Sequence, residues 1–423
     1  MDKSHINLTK KIKSCSTFSI PKLLMYLVVP LLILWCILSM KMQISITLGE
    51  EMTTYKYKVF YISTLIEMIS VFVIILNITK RTSILVKLLF LFAIYMTINH
   101  LLFSNNLLSD LGASMWWVLI FLLFYYISYN DSKDEILKLF MKIYPIFFIC
   151  TLYFFSQMFE ARKLINELKE LKGETNLNLS TSLIFYVALL LPFAILIKNK
   201  LIKYLFMFFF LITAIFSAKR SVLIYVPICI LISIYWDFIA RKGRKRWRGI
   251  IISTMLVIVA IFVFNYLDDL NGGYYKMRFE MLNEDKGSGR GDMLPIVIDT
   301  YYNKPVVNIF IGSGFNGVFR DNVITTKAES LSAHNDFVEI LYDFGVFGFF
   351  IYIAITFLLF KRLFKLKKID TPLFAANCAA YTIFFVMSMV SHLFLYPSYF
   401  AFIVILWGIT EGKLVRHKMV VTI

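Results

Sequence analysis

Apolar runs close to twenty residues long recur along nearly the whole chain, separated by short polar breaks. A run of that length matches the hydrocarbon thickness that one α-helix crosses. The pattern predicts twelve spans, at 22–40, 57–78, 84–103, 107–129, 136–158, 179–197, 201–217, 220–238, 249–267, 337–360, 372–393 and 397–412. Two of them meet at Ser217-Ala218-Lys219-Arg220 and are divided there, because the joined stretch is too long for one crossing. The short alternating segments of a membrane β-barrel are absent. The predicted class is an all-α polytopic membrane protein.

One long polar segment, 268–335, interrupts the pattern and divides the chain in three. Residues 1–267 hold the first nine spans, with short loops and one mixed-charge loop at 159–178. Residues 336–423 hold the last three spans and a tail. Structureless segments as long as 268–335 are uncommon and tend to be functional or disordered, and this one has internal pattern. Its periodicity predicts short helices over 274–284 and 291–303, with Pro295 tolerated in a first turn. Gly287-Ser288-Gly289 is a hinge between them. An apolar run at 305–311 and a second glycine cluster follow. The segment is expected to fold back over the membrane surface as a cap. The 159–178 loop, with Lys163, Glu167, Lys169, Glu170 and Glu174, reads as a solvated helix with mixed ion pairs.

Composition and charge set class and orientation. The chain is 59% hydrophobic with a mean hydropathy of +0.73, far from a soluble average. With the N-terminus inside, the cytoplasmic segments hold 24 Lys and Arg in 70 residues, against 16 in 120 for the outer segments. That asymmetry places both termini in the cytoplasm and 268–335 outside. The run Arg241-Lys242-Gly243-Arg244-Lys245-Arg246-Trp247-Arg248 is the strongest anchor. Basic residues beside a span meet anionic lipid, so the net charge of +17 predicts no nucleic-acid partner. The N-terminal lysines and apolar stretch resemble a signal peptide, but the stretch is too long and lacks a small-residue cleavage site, so it is kept as a span. Five cysteines without a C-x-x-C give no disulfide or zinc framework. The two halves show no inverted symmetry, which disfavours a secondary transporter.

Candidate chemistry gathers where the long segment re-enters an apolar run, at Ser332-Ala333-His334-Asn335-Asp336-Phe337-Val338-Glu339, with Asp343 beyond. Ionisable groups at a membrane boundary are costly and mark a functional site. Asp336 and Glu339 stand in capping-box spacing, and Asp336, Glu339 and Asp343 fall on one helix stripe, where an acid needs a partner such as Arg or His. An imidazole can accept the proton of an attacking hydroxyl, which makes His334 the candidate base. Lys219-Arg220 at a span junction reads either as an interfacial cap or as an anion site, since the guanidinium fork matches phosphate oxygens. Arg290, flanked by Gly289 and Gly291, is a second candidate, and Arg278 and Arg320 are weaker ones of the same kind. Gly312-Ser313-Gly314-Phe315-Asn316-Gly317 matches G-x-G-x-x-G. Without a preceding strand it reads as a tight turn that lets backbone approach a ligand or a neighbouring helix. Spaced acids for a metal are not found: the first outer loop offers only adjacent Glu50-Glu51, and Asp268-Asp269 lacks nearby ligands. No metal and no cofactor are expected.

The order of these features resembles the O-antigen ligase and O-antigen polymerase (Wzy-like) superfamily of membrane glycosyltransferases. It runs from a Lys-Arg junction, through a long outer loop carrying S-G-R and a G-x-G turn, to A-H-N and an acidic-apolar helix ending near Gly345 and Gly348. The resemblance covers roughly 205–360 by motif. It implies metal-independent transfer of a glycan from undecaprenyl pyrophosphate to an acceptor hydroxyl at the outer face of the cytoplasmic membrane. Carried over by motif, Arg220 and Arg290 would hold the pyrophosphate and His334 would be catalytic, with Lys219, Arg278, Arg320, Asn335, Asp336, Glu339 and Asp343 in support. The expected partners are a lipid-linked glycan donor, a glycan acceptor, membrane lipids and a chain-length regulator. Polymerisation of repeat units into O-antigen or capsular polysaccharide is the favoured reading. Ligation to lipid A-core is the alternative, and a flippase the reading from another class.

Overall fold

Among the described residues, long helices stand at eleven of the twelve places where the apolar pattern put spans, and short helices occupy the polar segment between them. A computed structural model describes residues 20–48, 53–80, 82–104, 106–172, 183–217, 219–239, 244–270, 273, 276, 280, 290–327 and 333–421. In chain order the helices are α1 (Ile20–Leu48), α2 (Thr53–Asn77), α3 (Ile84–Phe103), α4 (Leu107–Asn130), α5 (Glu135–Lys172), α6 (Leu183–Leu189), α7 (Leu191–Ile195), α8 (Lys200–Ser217), α9 (Arg220–Ile234) and α10 (Arg244–Leu270). After them come α11 (Arg290–Tyr302), α12 (Val306–Ile311), α13 (Gly317–Arg320), α14 (Asn322–Lys327), α15 (Asp336–Ile369), α16 (Thr371–Val390) and α17 (Pro397–Val421). No strand occurs among the described residues.

Eight helices among the described residues are long and apolar enough to cross a membrane, so the protein is an all-α membrane protein. The stretches Tyr26–Met42 and Ile184–Ile195 are shorter apolar helices. The expected 179–197 span is broken between α6 and α7, with Pro192 in the first turn of α7. α17 mixes Glu411, Lys413, Arg416 and Lys418 into its second half. In the polar segment α11 forms almost where the pattern put it, while the expected 274–284 helix and the glycine hinge lie outside the described residues apart from 276 and 280.

α4 forms the centre of the bundle. Trp116, Phe121, Phe124, Tyr125 and Tyr126 on it are all buried. α17 crosses α4 closely because Gly408 and Gly412 face it: a Cβ on Gly408 would meet Phe121 O at 2.6 Å, and one on Gly412 would meet Tyr125 O at 2.5 Å. Small residues four apart allow such backbone approach between apolar helices. The Ser128 hydroxyl seals the crossing by donating to Ile409 O at 2.8 Å.

At the bundle end where α4, α15 and α16 have their loops, charges pair densely. Lys413 reaches Asp134 at 2.7 Å and Asp370 at 2.9 Å, and Arg416 reaches Asp134 at 2.7 Å. Burial raises the Asp134 carboxyl, but Lys413 and Arg416 outweigh it and hold the group below its ordinary value. The opposite end carries the candidate chemistry.

Candidate active site

α15 is built around a bend. Gly345 adopts φ +63° and ψ −173° inside it, a conformation that L side chains rarely take. The bend frees carbonyls, and two side chains of α3 collect them. The Tyr95 hydroxyl approaches Phe344 O at 2.7 Å and Ile311 O at 2.9 Å. The Asn99 amide donates to Ile311 O at 2.8 Å and Asp343 O at 3.2 Å. The glycine turn docks into the same bend: Ser313 N donates to Tyr342 O at 3.0 Å and Gly314 N to Asp343 O at 2.9 Å. A Cβ on Gly312 would stand 2.1 Å from Asp343 O, and one on Gly345 would stand 2.5 Å from Phe310 O. The G-x-G therefore serves backbone approach to a neighbouring helix.

The three acids of α15 are fully buried, each on a different loop segment. Asp336 accepts from Leu393 N at 2.9 Å, Phe394 N at 3.3 Å and Ser388 Oγ at 2.8 Å. Glu339 accepts from Ala333 N at 2.6 Å. Asp343 accepts from Asn316 N and Gly317 N, both at 2.8 Å. The sequence pattern asked for Arg or His partners for these acids, yet their hydrogen bonds run mostly to backbone N–H groups, which satisfy a buried carboxylate equally well. The cap differs too. Asn335, not Asp336, caps α15, accepting from Phe337 N at 3.0 Å and Val338 N at 3.2 Å. Glu339 reaches past the cap to Ala333.

These bonds fix His334 from both sides. Ala333 is held by Glu339, and Asn335 caps α15 while its amide donates to Met389 O at 3.2 Å. Between them His334 takes φ +51°, an uncommon region for a residue with a side chain. Its ring lies 4.7 Å from the ring of His392. His392 is 3% exposed, and its Nδ1 stands 4.0 Å from Asp336 Oδ1. Asp336 and Glu339 thus fix one wall each of a histidine pair.

Lys219 reaches the same end by a row of rings. Lys219 Nζ lies 5.8 Å from the Phe185 ring. Phe185 meets Tyr399 at 5.5 Å, Tyr399 meets Tyr396 at 5.4 Å, and Tyr396 meets His392 at 5.8 Å. The helix register agrees. Cys229 meets Ala379 O, and Trp236, on the π-helical turn Tyr235–Ile239 that continues α9, meets Phe374, so α9 and α16 run antiparallel. Arg220, at the start of α9, therefore stands level with the end of α16, where Ser388 binds Asp336.

α11 brings Arg290 to this level as well. Tyr301 packs on Tyr342 with ring centres 6.0 Å apart. Met293, one turn from Arg290, shares a buried cluster with Ala333. α11 and the first turns of α15 thus run in the same direction, and Arg290 begins α11 near the segment that carries His334. Arg320 is placed differently: Nη1 lies 3.3 Å from Asp110 Oδ2, and Nη2 donates to Phe315 O. It ties the glycine turn to α4. Arg278 lies outside the described residues. Beside the turn, burial raises the Asp321 carboxyl, but bonds from Lys304 and Tyr342 outweigh it and hold the group below its ordinary value.

The structure thus brings together His334, Asn335, Asp336 and Glu339, sets Arg220 and Lys219 at their level, and starts α11 beside them. Sequence reasoning missed Tyr95 and Asn99, whose only signal is polarity inside an apolar run. His392 falls near the outer end of the expected 372–393 span, and the structure sets it on a turn at 391–396 against His334. A comparison with curated proteins finds no match. Residues 205–353 match the family model Wzy_C, described as O-antigen ligase, and that stretch contains Arg220, Arg290, His334 and all three acids of α15. The match supports what the motifs resemble: the stretch that carries most of this site is similar to the O-antigen ligase family.

Proposed function

We propose that the protein polymerises oligosaccharide repeat units carried on undecaprenyl pyrophosphate, at the outer face of the cytoplasmic membrane. The observation that supports this most is the fixed histidine pair at the level of Arg220, within an O-antigen ligase-family segment. In the reaction, an acceptor sugar hydroxyl attacks the anomeric carbon of the donor glycan. The bond from that carbon to the pyrophosphate oxygen breaks, the hydroxyl proton passes to His334, and undecaprenyl pyrophosphate leaves with the bonding pair. Arg220 and Arg290 neutralise the charge that grows on the leaving group, in the place a metal ion takes elsewhere. The fold segments then take roles: 268–335 as the outer loop over the site, 1–267 and 336–423 as the bundle that holds it, with all twelve apolar stretches crossing.

Transfer to lipid A-core is the second reading, and the description of the matching family favours it. One assay separates the two. Purified protein is given the lipid-linked repeat unit in EDTA without ATP, with or without lipid A-core. Polymerisation predicts a ladder of lengthening lipid-linked chains in both arms. Ligation predicts product only with lipid A-core. No product in either arm overturns both.

A further inference from the structure

α12 is an apolar helix with no fully buried residue. Val306 is 67% exposed, Val307 57% and Phe310 43%, and Tyr302 just before them is 72% exposed. A six-residue helix does not hold itself together in water. What holds this one is the flank of two spans. Phe310 packs on Phe347 of α15 with ring centres 5.5 Å apart. Ile311 O accepts from Tyr95 and Asn99 of α3, and Ile309 O accepts from the Tyr301 hydroxyl at 2.6 Å. Tyr95 stands about two turns inside the end of α3, and Gly345 about two and a half turns inside the start of α15. α12 therefore docks on the sides of these helices and not over their ends.

The exposed face of α12 continues that of α15. Phe347 and Phe350, on a helix long and apolar enough to cross the membrane, are 54% and 65% exposed. Phe310 joins the two surfaces. Irregular backbone at membrane depth is tolerated where protein groups satisfy its polar atoms, and Tyr95, Asn99 and Tyr301 do so here. We propose that Tyr302 and α12 are embedded in the bilayer, and that the partner of this face is lipid acyl chains. α11 descends along α15, α12 forms the lipid-facing floor, and α13 and α14 return toward His334. The expected surface cap is then a re-entrant hairpin. Because α11 begins at Arg290, lipid contact at its far end fixes how that residue is presented. The lipid assignment itself does not depend on the proposed reaction.

The test uses the full chain in phospholipid vesicles doped with a phosphatidylcholine that carries a diazirine on its acyl chain. Photolysis and mass mapping read lipid adducts, and hydroxyl-radical oxidation of a parallel sample reads water contact. The expected result is adducts on 302–311 at a yield comparable to that on 347–350, with Val306, Val307 and Phe310 oxidised no more than Phe347 and Phe350. Oxidation of those three at the level of the exposed Thr326 overturns the proposal whatever the labelling. Protection from both reagents overturns it as well, since a second protein surface then covers the face.

Discussion

His334 is held in a left-handed backbone conformation by bonds on either side of it, so the surrounding structure over-determines its posture. That arrangement separates two outcomes at neighbouring residues. His392 touches His334 and sits on the turn that Asp336 holds. His392→Asn should lower the turnover number more than it changes the acceptor KM, because it disturbs the base and not the sugar contacts. A change confined to KM contradicts that role. The arginines make a different prediction. Arg220→Lys and Arg290→Lys keep the charge but lose the planar fork, and each should cost about 1.5–3 kcal/mol of transition-state binding. Initial rates at matched expression check this, and two Lys variants with wild-type rates remove the pyrophosphate assignment. Much of this residue set was legible, since A-H-N, the Lys-Arg junction and the glycine-flanked arginine are local patterns. The partners of the acids were not. Asp336 binds peptide groups 57 and 58 positions away and Asp343 binds groups 26 and 27 positions back, and no periodicity encodes such pairings.

The elements were easier to read than their bends. Apolar runs predicted most helices, and Lys219 does separate α8 from α9. The resemblance put a helix end near Gly345, but the apolar pattern of 337–360 runs through it without a break, so a bend inside one continuing helix was not legible. Its mechanics make a clear prediction. Gly345→Ala must seat a methyl group 2.5 Å from Phe310 O in a positive-φ backbone, at a cost of order 1–3 kcal/mol. The melting temperature in detergent should fall, and α12 should detach from α15. Gly112→Ala is the control, since its Cβ would meet only Glu67 at 3.6 Å and the melting temperature should stay close to wild type. Equal stability of the two variants contradicts the account of the bend. Gly408 and Gly412 are a similar case at the α4–α17 crossing. The sequence shows their four-residue spacing, but only the packing shows which helix they face.

Across the whole molecule charge is partitioned between two ends, and the two ends answer to different experiments. Asp134 and Asp321 both have carboxyls held below their ordinary value by cationic neighbours. The stability they add is present above the unfolded carboxyl value, roughly pH 4, and is lost as pH falls through their folded values. Thermal stability should therefore drop below about pH 4, and Asp134→Asn should flatten part of that drop. An unchanged acid limb in the variant contradicts the ledger at that end. Orientation is tested by cysteines placed at Ser288 and Gly243 in a cysteine-free background. An impermeant reagent on intact cells should label the first and not the second, and the reverse pattern inverts the topology. The central claim is that His334 takes the acceptor proton, and it is tested most directly by chain elongation from purified undecaprenyl-pyrophosphate-linked repeat units, with wild-type and His334→Asn proteins at matched amounts. Asn tolerates left-handed backbone, so the variant should stay folded and inserted, with elongation lowered roughly 10²–10⁴-fold. Elongation by the His334→Asn protein at the wild-type rate would contradict the account.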